Sequence, residues 1–204
     1  FCVDVDDVAW STNNWTNIGA QTYFSTNCQA PPTTYVPDDN FETYLENNGM
    51  GDGIALNDYV YTSAIDTVTI LSVSNQSISN LTGIEAFTVL TYLNCEGNQL
   101  SILDVSQNTA LTYLNCEDNQ LTSLDLSNNT ALIESKCQGN NLTSLDVSQN
   151  SALTTLNCRS NQLSTLDLSQ NSALSSLDCY GNQFISLDVS QNTALQYLHC
   201  YFNQ

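Results

Sequence analysis

Residues 90–110 read LTYLNCEGNQLSILDVSQNTA, and residues 111–131 read LTYLNCEDNQLTSLDLSNNTA. A looser 22-residue copy of this unit begins at Val68. Regular copies, 21 residues apart, start at Leu90, Leu111, Leu132, Leu153, Leu174 and Leu195. A fixed period of this length predicts a solenoid, in which each copy forms one turn and buries its apolar side against the next.

Each copy divides into two half-turns, LxxLxCxxN and LxxLD(V/L)SxN. In an extended segment, residues two apart face the same way, so Leu93 and Cys95 point into the core while Asn94 and Glu96 point outward. Both half-turns are therefore predicted as short strands. The expected fold is a β-rich solenoid with two strands per turn.

The repeated motif carries a family resemblance. LxxLxCxxNxL, with Cys at the third apolar position, resembles the leucine-rich repeat over about residues 68–204. Together with LTSLDVSQNSAL at 142–153 and VTILSVSNQSISNLTGIEAF at 68–87, it is similar to repeat proteins secreted by Bacteroidota, many of them cargo of the type IX secretion system. The resemblance implies a secreted or outer cell-surface binding module and leaves the ligand open.

The charge balance is strongly acidic. The chain has 21 Asp and Glu against two cations, Lys136 and Arg159, for a net charge of −19. It has no basic patch for phosphates, so we expect no nucleic-acid partner, and no apolar run of about 18 residues that would insert into a membrane. The chain starts with Phe1 and stops at Gln204 partway through a repeat, which predicts a piece of a longer polypeptide whose other domains are partners.

The N-terminal third lies outside the regular repeats. Residues 1–28 form a short aromatic segment between Cys2 and Cys28, and 29–37 contain the linker-like QAPPTTY. Residues 38–67 begin with DDNFETYLENN, which predicts a short helix with Phe41 and Leu45 on one face, followed by a loop. We expect this helix to cap the solenoid at 68–204, because an open first turn exposes apolar side chains and a strand edge.

Two residue types recur once per turn for structural reasons. Asparagines stand at one corner in Asn98, Asn119, Asn140, Asn161, Asn182 and Asn203, and at the other in Asn108, Asn129, Asn150, Asn171 and Asn192. Their amides can satisfy backbone groups that a turn leaves unpaired. Inward cysteines stand at Cys95, Cys116, Cys137, Cys158, Cys179 and Cys200. We expect them to be reduced and buried, because a linear ladder does not converge on a metal as a tetrahedral site requires.

Two acidic features allow a cation. The loop GMGDGIALND, residues 49–58, could hold Ca²⁺ through Asp52, Asn57 and Asp58, although it lacks the spacing of an EF-hand and a plain turn is the favoured interpretation. An aspartate row can either bind cations or accept hydrogen bonds from nearby serines. Its members are Asp104, Asp125, Asp146, Asp167 and Asp188. No other cofactor is expected.

The two outward faces differ in how much they vary. The second half-turn repeats Ser/Thr-Asp-Ser almost unchanged, whereas the first half-turn changes and contains every Lys, Arg and His of the chain. Tyrosine also recurs on it, and tyrosine is a common contact residue of binding surfaces. The candidate ligand-binding residues are Tyr92, Asn94, Glu96, Tyr113, Asn115, Glu117, Glu134, Lys136, Thr155, Arg159, Asp178, Tyr180, Tyr197, His199 and Tyr201. The alternative is neutral drift of a solvated face.

These observations favour a non-catalytic binding or adhesion module that recognises a protein or a glycan through the variable half-turn. An enzyme is disfavoured because His199 is the single histidine and no nucleophile, base and orienting group form a recognisable set. The alternative is a structural spacer, or a surface that faces cations, ice or mineral, built on the uniform rows.

Cys2 and Cys28 are predicted to form a disulfide, because a bridge that closes this loop in an extracellular protein stabilises the fold by about 3 to 4 kcal/mol. Thiol counting in denaturant checks this. We expect six of the eight cysteines to react before reduction and all eight afterwards. Eight reactive thiols before reduction would contradict the bridge, and none would contradict the reduced ladder.

Overall fold

The computed structural model describes residues 2–4, 11, 23–25 and 31–204. The chain divides into two compact units, Phe1–Pro32 and Thr33–Gln204. In the first unit, β1 (Cys2–Asp4) pairs in parallel with β2 (Tyr23–Ser25). The predicted Cys2–Cys28 bridge lies outside the residues whose side chains are described, so it stays a prediction.

The second unit contains the predicted leucine-rich-repeat solenoid, which is confirmed. Seven parallel strands form one sheet in chain order, one strand per turn. They are β5 (Ile70–Ser72), β6 (Tyr92–Asn94), β7 (Tyr113–Asn115), β8 (Glu134–Lys136), β9 (Thr155–Asn157), β10 (Ser176–Asp178) and β11 (Tyr197–His199). Their middle residues align in register and are stacked leucines in every strand except β8, where Ser135 takes the position.

The core is a stack of inward leucines and cysteines. Leu93, Leu114 and Leu177 are fully buried, and each such side chain contributes about 1.5 to 3 kcal/mol of apolar burial. The ladder cysteines are free thiols, buried from Cys95 to Cys179 and exposed at Cys200. Burial raises the pKa of Cys95 to about 12, so its thiol stays neutral and acts as a small apolar group.

Both asparagine ladders bind the turns together. The Asn119 side chain donates to the carbonyls of Cys95 (3.0 Å) and Cys116 (3.1 Å), and its oxygen accepts from the Leu100 amide (3.0 Å). At the other corner, Asn129 donates to two more carbonyls, in the preceding turn. The amides therefore replace the ladder hydrogen bonds that the corners lack.

The second strand predicted for each turn is wrong. On that face the described residues form only an isolated bridge between Asp125 and Asp146. There the Asp104 carboxylate accepts from the Ser106 amide at 2.9 Å, and the later aspartates repeat this contact. The alternation of inward and outward residues is present on this half-turn, but beyond that bridge the described backbones of neighbouring turns do not pair along it.

The cap consists of two short strands and two helices. They are β3 (Thr33–Tyr35), α1 (Asp39–Asn47), β4 (Tyr59–Tyr61) and α2 (Thr62–Ile65), and a 3-10 helix, Ile84–Ala86, follows in the first turn of the solenoid. The predicted helix is present as α1, and its buried Phe41 stacks on Phe87 with ring centroids 6.4 Å apart. The segment predicted as a linker, 29–37, includes β3, because its backbone pairs antiparallel with β4.

Asp38 fastens the cap to the first turn. One carboxylate oxygen accepts from the amides of Asn40 and Phe41 and so caps α1. The other accepts from the amide and hydroxyl of Ser79, both at 2.8 Å, and from the Asn80 amide. Burial alone would raise the pKa of Asp38, but these hydrogen bonds outweigh it and hold the pKa below its ordinary value of 3.8.

We expect Asp38→Asn to lower the free energy of unfolding by about 1 to 3 kcal/mol, because an amide NH₂ would face the Ser79 and Asn80 donors. Since the folded pKa is depressed, the contribution of Asp38 is present above about pH 4 and is lost as the pH falls through the folded pKa. Thermal unfolding of both proteins between pH 7 and pH 3 measures this. A variant as stable as the original chain at pH 7 would contradict the tether.

Ser135 interrupts the leucine stack. It lies in register between Leu114 and Leu156, is fully buried, and its hydroxyl has no hydrogen-bond partner among the described residues. A buried, unpaired hydroxyl is destabilising, and serine fills less of the core than leucine. The position is therefore a local defect in the solenoid.

We expect Ser135→Leu to raise the free energy of unfolding by about 1 to 3 kcal/mol, because it removes the unpaired hydroxyl and restores the apolar contact. The matched control is Leu156→Ser, which makes the same defect one turn later and should cost about 2 to 5 kcal/mol. Denaturant unfolding measures both. A Ser135→Leu variant that is less stable than the original chain would show that the neighbouring side chains leave room for serine and not for leucine.

Candidate interaction surface

The variable face consists of the outward side chains of the sheet, arranged in three rows that run across the strands. The first row is Tyr92, Tyr113, Glu134, Thr155, Ser176 and Tyr197. The middle row is Asn94, Asn115, Lys136, Asn157, Asp178 and His199. The third row, two residues further along each turn, is Glu96, Glu117, Gln138, Arg159, Tyr180 and Tyr201. All fifteen residues predicted from the sequence lie on this face.

Two tyrosines stack near one end of the face. The rings of Tyr92 and Tyr113 are parallel within 2°, with centroids 4.3 Å apart. Lys136 places its ammonium 5.3 Å from the Tyr113 centroid, 3.4 Å from the Tyr113 hydroxyl and 2.9 Å from Glu134. Burial and the neighbouring Tyr113 raise the pKa of Tyr92. The tyrosines therefore present edges and hydroxyls more than open ring faces.

Two glutamates lie on the same turns as these tyrosines. Asn115 donates to the Glu96 carboxylate at 3.0 Å, and the Gln138 side-chain amide donates to Glu117. Burial and the like charges of Glu96 and Asp118 raise the pKa of Glu117. Gln138 is itself buried, and its side-chain oxygen has no hydrogen-bond partner in the part of the chain that the structure describes.

A second aromatic group lies at the other end of the face. His199 packs between tyrosines, with its ring centroid 5.6 Å from that of Tyr180 and 4.3 Å from that of Tyr201. Its Nδ1 lies 3.2 Å from an Asp178 carboxylate oxygen. Arg159 is exposed between the two aromatic groups and forms no ion pair with any described residue. The face thus offers aromatic groups at both ends and a cation between them.

Polar groups of the loop at residues 49–58 form hydrogen bonds with other groups of the chain. Asn57 donates its side-chain amide to Asp52 at 3.0 Å, and the carboxylates of Glu46 and Glu42 accept backbone amides of the loop. Asn57 thus turns its amide nitrogen to Asp52, while its side-chain oxygen accepts from the Tyr59 amide. Asp58 instead lies near Asp39 and Glu42, with carboxylate oxygens within 4.8 Å of one another, a grouping that no sequence spacing indicated.

The uniform face is formed by the Ser/Thr-Asp-Ser rows of the second half-turn. Hydrogen bonds from Ser127 lower the pKa of Asp125, and later aspartates have equivalent bonds. These bonds favour the serine interpretation of the aspartate row. Ile102, 77% exposed, is the exception to its polar pattern and lines an open cavity of about 650 Å³.

The fifteen predicted residues leave out Ser176, Asn157 and Gln138 of the three rows, and Ile70 of β5. Ile70, 66% exposed, stands in register with Tyr92 and extends the first row by one strand. Alignment of the irregular copy at Val68 with the copy at Leu90 would have identified it. Gln138 stands in the third row, but its burial beside Glu117 follows from side-chain packing, which the repeat pattern does not encode.

No protein-family model matches the chain. Internalin J of Listeria monocytogenes serotype 4b (strain F2365) is 43% identical over 74 residues, which is 36% of this chain and 8% of internalin J. A solved structure described as the functional domain of InlJ from Listeria monocytogenes, which includes a cysteine ladder, matches with a TM-score of 0.70 and 38% identity. That match covers 87% of this chain and 45% of the other, so the chain spans less than half of either relative.

An internalin, InlF, from the same species matches with a TM-score of 0.62 and 23% identity, over 83% of this chain and 58% of that one, which supports the fold alone. No described helix is long and apolar enough to cross a membrane. The one-per-turn cysteines of this chain parallel the ladder of the InlJ domain. The chain is a leucine-rich-repeat solenoid that resembles the internalins.

Proposed function

We propose that the chain is a non-catalytic binding module that recognises a protein through its variable face. The observation that carries the proposal is the contrast between the two faces. Every turn repeats nearly the same inward core residues and corner asparagines. The outward side chains nevertheless change on the face that carries the tyrosines and stay nearly constant on the other face.

The chemistry of the variable face fits protein recognition. Tyrosine rings supply apolar contact area at low entropic cost, and exposed aromatic residues commonly carry a large share of interface energy. The ring faces of Tyr92 and Tyr113 cover each other, which leaves less flat aromatic surface for a sugar ring. A protein partner is therefore favoured over a glycan.

The proposed location is outside the cell, secreted or on the outer surface. Support comes from the resemblance to secreted Bacteroidota repeat proteins and from the likeness to internalin J. Export by a type IX system is part of the same proposal.

An open sheet also suits docking better than catalysis, because chemistry generally needs a site that excludes water.

Replacement of Tyr92, Tyr113, Tyr180 and Tyr197 by Ser should leave the fold intact, because these side chains point away from the core. The affinity of the chain for cells that the original chain binds should fall by at least about thirtyfold. This corresponds to the loss of one interface side chain that contributes about 2 kcal/mol to binding. Flow cytometry with labelled chain measures binding, and circular dichroism confirms folding. Protease treatment of the cells should abolish binding by the original chain.

The matched control replaces Ser123, Ser144, Thr165 and Ser186 on the uniform face by Ala and should change binding by less than about twofold. If the control loses binding while the tyrosine variant keeps it, the uniform face is the functional one. If binding survives protease and is lost after glycosidase treatment, the partner is a glycan.

A further inference from the structure

The first strand of the seven-stranded sheet, β5, has one open edge. Among the described residues β5 pairs with β6 alone, and it stands at the end of the strand order. We infer that this edge, at Ile70 and Ser72, binds an extended backbone segment of a protein partner as an added strand. The inference rests on the proposed function, because it specifies how the protein partner docks.

The backbone groups of β5 alternate between its two sides. The Thr69 carbonyl accepts from a β6 amide at 3.1 Å, and the Val73 amide donates to a β6 carbonyl at 2.8 Å, so the odd-numbered residues face β6. In a parallel ladder the N–H and C=O groups of the residues between them point the other way. Ile70 and Ser72 therefore direct two amides and two carbonyls away from the sheet.

The described part of the cap fastens to the first turn at other residues. Asp38 accepts from Ser79 and Asn80, and the Asn40 side chain donates to the Ser77 carbonyl at 3.0 Å. The strand β3 pairs with β4 and not with β5. No hydrogen bond from a described residue reaches the outward amides and carbonyls of β5, so these groups are available to another chain.

The residues of β5 do not protect this edge. Natural sheets protect open edges with charged side chains, proline or a bulge, because free N–H and C=O groups pair readily with other chains. β5 reads Ile-Leu-Ser, and its two exposed side chains are an isoleucine and a serine. Such an edge suits strand addition, in which main-chain hydrogen bonds supply the affinity.

The side chain of Ile70 joins this edge to the variable face. Ile70 is 66% exposed and stands in register with Tyr92, which stands in register with Tyr113. A segment added beside β5 places one of its own side chains next to Ile70, and apolar pairs across neighbouring strands are stabilising. The partner therefore presents an extended segment with an apolar residue at this position, and the tyrosine row continues the same contact surface.

A second copy of the chain is a poorer occupant of the edge. Each chain carries a net charge of −19, so two copies that meet edge to edge repel each other. β5 has only three residues, so the pairing of two such edges forms few hydrogen bonds. A protein partner adds contacts along the variable face.

The test removes one edge amide without removing a hydrogen bond of the fold. Ser72→Pro deletes the outward N–H and requires an extended Leu71, which β5 already provides. The matched control, Ser72→Ala, loses the same hydroxyl and keeps the amide. Flow cytometry with the labelled whole chain, on cells that the original chain binds, measures affinity, and circular dichroism confirms folding. Binding should weaken at least about fivefold in Ser72→Pro and less than about twofold in Ser72→Ala.

Unchanged binding by a folded Ser72→Pro variant would overturn strand addition. Equal losses in the proline and alanine variants would overturn it too, because the side chain and not the amide would then make the contact. If proline prevents folding, Ile70→Lys tests the edge instead, since an edge lysine opposes strand pairing. Its control is Ile185→Lys, because Ile185 is 83% exposed and lies outside the three rows of the variable face. A loss confined to Ile70→Lys supports the inference, and any other result overturns it.

Light scattering during size-exclusion chromatography distinguishes a partner from a second copy. We expect the original chain and Ser72→Pro to be monomers. A dimer of the original chain that becomes a monomer in Ser72→Pro would assign the edge to a second copy and overturn the inference. Cell binding that survives protease treatment of the cells would also overturn it, because the added strand must come from a protein.

The same variants separate this inference from the proposed function. If the tyrosine variant loses cell binding while Ser72→Pro and Ile70→Lys bind normally, the variable face is functional and the strand addition is wrong. If Ser72→Pro loses binding while the tyrosine variant keeps it, the edge of β5 binds the partner and the variable face does not. Loss of binding in both variants supports both proposals.

Discussion

Each turn of the solenoid is tied to the next by a buried asparagine amide. Asn119 connects two carbonyls in successive turns and also holds the Leu100 amide of the turn before. A turn with a strand of only three residues leaves most of its backbone outside a β-ladder, and a buried unpaired amide or carbonyl is costly. The asparagine amides satisfy corner carbonyls that would otherwise be buried unpaired, and this stabilises the stacked turns on which the leucine core and the sheet are built.

The same stacking explains how the variable face acquires its chemistry. Because parallel strands stand in register, a residue type repeated in consecutive turns is placed beside its own copy. Tyr92 therefore stacks on Tyr113, and the charge of Glu96 acts on Glu117. A repeat copied without change becomes a row of one chemistry, and a substitution in a single turn, as at Lys136, ends the row. The residue types of the individual turns therefore determine which groups such a face presents to a partner.

Much of the fold could be predicted because its constraints are local and periodic. The spacing of Leu93 and Cys95 indicates an extended inward-facing segment, and the spacing of Phe41 and Leu45 indicates the apolar stripe of α1. The second strand of each turn was predicted wrongly because alternation looks the same whether or not the backbone finds a ladder partner. On that face the described residues alternate inward and outward, but they form only the bridge between Asp125 and Asp146. Likewise, Thr33–Tyr35 form a strand only because β4, more than twenty residues later, supplies the partner.

The sequence by itself determined the solenoid, its period, its inward and outward positions and the identity of the variable face, since all of these follow from which residues repeat and which do not. Only the tertiary structure decided how neighbouring turns combine. The parallel stack of Tyr92 and Tyr113, the Lys136 ammonium over the ring and the burial of Gln138 beside Glu117 depend on distances across strands. Those distances are set by side-chain packing between turns some 21 residues apart, and a one-dimensional pattern records the spacing of residues but not the rotamers that bring them into contact.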